Sequence, residues 1–215
     1  RNMKIKTLED LEDSLNKHLA WRKKEMMTLK LLIESGDEAR ITLIRAGIAL
    51  LCAHFEGFIK DASNDYLSFV SNQNIIYKEL QSVFSVMKMH SLIDECAKSS
   101  KYSVQNRILK EYDRLSTEIF HVGNSSIIDT HSNPSTKVLK EILLTLGLDT
   151  NIFDTKAKYI DASLLSKRHK IVHGERFELE YNDFSVTFDI IMKLLDEYKD
   201  VLINAATEEV YKKQE

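Results

Sequence analysis

Apolar positions return every three or four residues through most of the chain, which is the period of an α-helix and not the alternation of a strand. Over residues 7–34 the stripe is Leu8, Leu11, Leu15, Leu19, Met26, Leu29, Leu32 and Ile33, closed by Ser35-Gly36-Asp37. Residues 38–70 are apolar nearly all round between Ile41 and Ile59, as expected of a helix buried on several sides. Further helices are predicted over 77–96, more weakly over 102–117, and from Asn133-Pro134 to Leu146, with proline at the first helical position and Gly147 as the stop. Residues 157–173 read as an amphipathic helix. The last helix, about 183–212, has Asn182 or Asp183 as its cap and a stripe running from Phe184 to Ala205. Phe177 to Tyr181 alternates briefly and reads as extended. Residues 121–133, rich in Gly, Asn, Ser and Thr, are the longest non-helical piece and the part expected to move. With no repeat and no break in composition, the pattern predicts one all-α, compact helical-bundle domain of about six to seven helices over 1–215.

Composition narrows the partners. The single proline and six glycines agree with long helices. A formal charge of −3 argues against coating nucleic acid by bulk positive charge, although a local basic site fits within it. Two cysteines, Cys52 and Cys96, fall inside helical patterns and read as reduced core residues. No signal peptide, lipidation motif or charge-free apolar run near 18 residues stands out, so a cytoplasmic protein with no membrane partner is expected. The sequence opens on Arg1, which suggests that a short upstream piece is missing. His121 and His131 lack partners at metal-ligand spacing, and neither a metal nor a cofactor is expected.

The stretch on which function turns is Lys167-Arg168-His169-Lys170-Ile171-Val172-His173-Gly174-Glu175. At about 100° per residue, Ala157, Ile160, Leu164, Leu165, Ile171 and Val172 share an apolar arc. Tyr159, Ser163, Ser166, Lys167, His169 and Lys170 lie opposite. Arg168 falls in the middle of the apolar arc, where a guanidinium has to be paired, reach an edge or line a site. Gly174 suits a left-handed helix end. A helix stopping at Val172 or His173 would let the His173 imidazole swing toward Arg168.

Other candidates are weaker. In the central helix Thr42, Arg45, Glu56 and Lys60 gather within about 60° of one another. They form either a polar strip beside a site or a buried network that fixes helix register. His54 sits across from them among Leu43, Gly47, Leu50, Leu51 and Phe58, where a core histidine is the plainer reading and a chemical role the sharper one. Trp21-Arg22-Lys23-Lys24 could meet phosphate but reads first as a solvated basic face.

Arg168-x4-His173-Gly174 resembles the R-x(4–6)-H signature of the HEPN superfamily. Residues 20–25 (AWRKKE), 45–58 (RAGIALLCAHFEGF), 132–140 (SNPSTKVLK) and 146–149 (LGLD) resemble its MAE-type and RiboL-PSP-type branch. The resemblance implies a dimeric helical domain, often a metal-independent endoribonuclease of toxin–antitoxin or antiphage systems. It makes Arg168 and His173 the catalytic pair at a dimer cleft, with RNA as substrate and an antitoxin or operon partner as regulator. His54, Glu56, Arg45 and His169 are supporting candidates, His169 because a polar residue commonly follows the arginine in this family. The alternatives are a non-catalytic helical module binding nucleotide, RNA or a partner protein, and a structural dimer in which Arg168 bonds helix-end carbonyls. No hydrolase elbow, P-loop, dinucleotide fingerprint or H-E-x-x-H sequence competes with these readings.

Overall fold

A computed structural model describes residues 5–36, 38–123, 128 and 135–214. Its helices are α1 (Leu8–Glu34), α2 (Arg40–Ser71), α3 (Ser82–Ala97), α4 (Tyr102–Leu115), α5 (Thr136–Thr145), α6 (Ser166–Val172) and α7 (Tyr181–Thr207). No strand forms among the described residues. Isolated bridges join Ile76 to Ile119 and Leu80 to Lys212.

The core is a layer of three long helices, α1, α2 and α7, each packed on the other two. α2 is central. Ile48, Leu51, Phe55, Phe58, Ile59, Ala62, Tyr66 and Leu67 along it are all buried, each large one contributing about 1.5–3 kcal/mol. By length and hydropathy α2 could also cross a membrane; here its apolar positions meet α1, α6 and α7. Gly47 allows the close approach of α7, because a Cβ there would lie 2.7 Å from a ring carbon of Phe184. A polar pair deep in this layer is satisfied, Ser63 Oγ and Tyr198 Oη lying 2.5 Å apart.

Helix ends follow local chemistry. Thr7 and Asp10 form a capping box at the start of α1. α7 starts earlier than the sequence suggests: Glu180 is the cap, and Asp183 accepts its N–H at 2.9 Å. α5 starts later, capped by Ser135, while Asn133 and Pro134 lie outside the described residues. Gly147 ends it with a positive φ of 73°. The helix expected over 77–96 is interrupted, since a 3-10 turn at Tyr77–Glu79 precedes α3. Leu80 is extended there and pairs with Lys212, so bonding to the chain's end replaces a helical turn. Most of the 121–133 segment also falls outside the described residues.

The largest departure is at 157–173. A 3-10 turn (Asp154–Lys156) leads into a π-helix (Tyr159–Leu165), and only Ser166–Val172 is α-helical. A wheel at α-helical pitch does not hold across a π segment, so the faces expected of a regular α-helix over 157–173 do not carry through. Ile160 and Leu164 are buried in the protomer and Ile171 is half-buried against the core. Most of the apolar arc is thus spent inside one chain, while Val172 at its end stays exposed.

Candidate functional site

The motif sits on the short α6, held against α2 and tied to α7. Lys167 Nζ donates to Asp183 Oδ1 at 2.6 Å. That ammonium, with the Glu180 N–H, holds the Asp183 carboxyl below the usual carboxylate range. On the α2 side the Cys52 thiol reaches the Leu164 carbonyl at 3.8 Å. Burial pushes this thiol up to about 12, the Arg168 charge opposing the rise and Glu56 adding to it. Arg168 and Glu56 therefore both lie within electrostatic reach of Cys52, in the seam between α2 and α6. Arg168 is half-buried, which for so long a side chain allows an apolar stem in the seam and a charged head at its edge.

The helix end is fully determined. His173 is the last residue near helical geometry, and Gly174 follows at φ 71°. Glu175 N–H bonds the Lys170 carbonyl at 2.9 Å and Gly174 N–H the Ile171 carbonyl at 3.1 Å, the paired bonds of a Schellman turn. Arg45 fastens the chain that leaves: its Nη2 donates to the Glu175 carbonyl at 2.8 Å, and its guanidinium lies 5.1 Å from the Phe177 ring centre. Lys170 Nζ approaches the same ring at 5.4 Å. Arg45, from the central helix, is thus a clamp on the motif's exit loop.

His173 does not turn toward Arg168. Its ring lies against that of His169, one helical turn back, with centroids 4.2 Å apart and planes tilted by 51°. Residues four apart share a helix face, and here both imidazoles are exposed. The structure therefore gathers Arg168, His169, His173, Lys170, Arg45 and Glu56 around α6 and the facing part of α2.

His54 is elsewhere. It is 4% exposed and faces α1, its Nε2 2.7 Å from Glu25 Oε2 and its ring edge-on to Trp21 at 5.2 Å. Burial holds its pKa below the ordinary histidine value, with Glu25 opposing and Arg22 adding. The 21–24 stretch is no solvated basic face either. Arg22 is 4% exposed, bonds Asp61 Oδ2 at 2.6 Å and the His18 carbonyl at 2.9 Å, and lies 4.4 Å from the Trp21 ring centre. Lys23 pairs with Asp196. The signal for this was present: Arg22 falls on the α1 stripe, seven after Leu15 and four before Met26, which an analysis by charge cluster overlooks. Gly57 leaves room for its guanidinium, since a Cβ there would lie 3.2 Å from Nη2.

An all-α domain with an arginine in a helix seam and a histidine on a glycine-terminated helix end is the class that fold and site define. The RiboL-PSP-HEPN family model matches residues 17–204, and the chain belongs to that family. No characterised protein and no solved structure shows significant similarity to it. HEPN domains are commonly RNases, which assigns a nuclease or RNA-related role to the domain type.

Proposed function

We propose that this chain is an endoribonuclease that cuts RNA without a metal, with Arg168 and His173 working in a cleft between two copies. The setting is a toxin–antitoxin or antiphage system, in which a partner protein restrains the enzyme. The observation that carries the reading is the fixed C-terminal end of α6. It holds exposed His173 five residues after half-buried Arg168, whose charge reaches Cys52 across the α2–α6 contact.

The 2′-hydroxyl attacks the adjacent phosphorus and the bond to the 5′-oxygen breaks. A neutral imidazole takes the hydroxyl proton, and an imidazolium gives one to the leaving oxygen. Histidine can serve either role near neutral pH. Arg168 suits the crowded phosphorane, since its planar fork matches two phosphate oxygens and keeps its charge. One exposed histidine pair with one arginine is sparse equipment for all of this, and a two-fold pairing would double it. Leu31, Leu32, Ile41, Val172 and Val186 are exposed apolar residues on the end of the bundle where α1 stops and α2 and α7 begin. Tyr181 Oη bonds Glu34 and Arg45 bonds Glu175 at that same end. Val172, 60% exposed, would bring the motif into such a contact.

Purified protein incubated with RNA in EDTA should yield fragments ending in 2′,3′-cyclic phosphate or 3′-phosphate. His173→Ala should lower the rate about 10²–10⁴-fold, and Arg168→Ala should lower it as well. Light scattering should report about twice the protomer mass of 24.9 kDa. RNA that is bound but never cut would establish the non-catalytic module instead. Activity lost in EDTA and restored by magnesium would overturn the mechanism.

A further inference from the structure

We propose that His169 and His173 form a two-nitrogen chelate for a late first-row divalent metal (zinc, nickel or copper) that holds the motif in an inactive state. The two rings stand one turn apart on α6, both exposed, with centroids 4.2 Å apart. Imidazole suits zinc, copper and nickel, whereas magnesium and calcium demand oxygen ligands. The helix places the second ring beside the first, so once one nitrogen is bonded the second bond forms at high effective concentration and a surface pair outcompetes any single histidine.

The site is held ready by its frame. The Schellman bonds from Glu175 and Gly174 fix the end of the helix, and Arg45 fixes the loop that follows. Among the described residues no three His, Cys, Asp or Glu side chains come together, so the metal's remaining positions go to water. Neighbouring Arg168, Lys170 and Arg176 are all cationic and weaken cation binding. Occupancy therefore tracks the supply of free metal and is not permanent.

The binding claim stands on the ring pair alone; the inhibitory consequence rests on the proposed nuclease reading. A metal bonded through a ring nitrogen of His173 occupies the lone pair that would take the 2′-hydroxyl proton. Chelators should then raise cleavage or leave it unchanged, the opposite of a metal-dependent nuclease.

The test is titration calorimetry on untagged protein with zinc, nickel or magnesium chloride, followed by imidazole nitrogen NMR. Zinc and nickel should bind at one ion per chain and shift the nitrogen resonances of two histidines, while magnesium does neither. His169→Ala and His173→Ala should each weaken binding more than tenfold, and His90→Ala should not. Binding unchanged in the first two variants, or absent from the unaltered protein, overturns the site. Binding that behaves as expected in a protein that never cuts RNA keeps the site and removes the nuclease reading.

Discussion

Two places in this fold set one arginine beside two histidines. In the first, Arg22 is buried under Trp21 between His18 and His54. Each has a carboxylate close by: Asp61 for Arg22, Asp65 for His18 at 3.3 Å, and Glu25 for His54. In the second, Arg168 is half-buried, and His169 and His173 face solvent with their rings against each other. The residue types match, but the environments differ. Burial demands a counter-charge, because an unpaired buried charge is very costly, and groups committed to one another have little to offer a ligand. The first cluster binds α1 to α2. The second is supported by backbone hydrogen bonds and by its neighbours, so its side chains keep their lone pairs and charge.

Arginine replacement should separate the two most strongly. Arg22→Ala leaves the Asp61 carboxylate without its guanidinium and empties the space opposite Gly57. Breaking a buried pair costs about 3–5 kcal/mol, and because Asp61 is partly solvated the lower end is expected. Arg168→Ala should leave thermal stability unchanged or slightly higher while activity falls. Melting curves for both, beside the cleavage assay, check this. A large loss of stability in Arg168→Ala, with His173→Ala fully active, would make the second cluster as structural as the first.

A smaller effect is expected at Gly174. A side chain there meets open space, yet φ is 71°, so Gly174→Ala should cost about 1–2 kcal/mol, the usual penalty for a left-handed residue. Denaturant titration measures that cost. Cleavage should fall beyond what lost stability explains, because the turn sets where His173 points. The smallest effect concerns pH. His54 has a depressed pKa when folded, so the unfolded chain takes up that proton first as pH drops below about 6.5. Its contribution is complete above that value and is lost as the solution is acidified. His54→Gln should flatten the decline in melting temperature between neutral and mildly acid pH. The same change at exposed His90 should not.

Much of the layout was legible because long helices declare themselves by period and cap. α1 and α2 start and stop within two residues of the expected 7–34 and 38–70, and Gly147 and Gly174 sit where left-handed ends are needed. What the sequence hid depends on spatial neighbours. No period marks a π-helix, so a regular wheel does not tell which way Arg168 faces. Phe177 and the Glu175 carbonyl are distant in sequence from Arg45, and their union appears only when the loop folds back. Arg22 is hidden in plain sight, because three adjacent cations look like surface until the stripe through Leu15, Leu19 and Met26 is followed through them.

The π-helix has a consequence for how such a site changes over generations. A wide helical turn is what an α-helix becomes when it absorbs one additional residue without unwinding. Ile160 and Leu164 stay anchored in the core, while everything after them is rotated by up to about 100°, the angle between neighbouring residues. A single codon gained or lost in this stretch could therefore re-aim Arg168 and the histidines as a block. Loop length and core composition would remain as they were. The direction in which this domain presents its charged head group is, in that sense, a heritable setting with discrete positions.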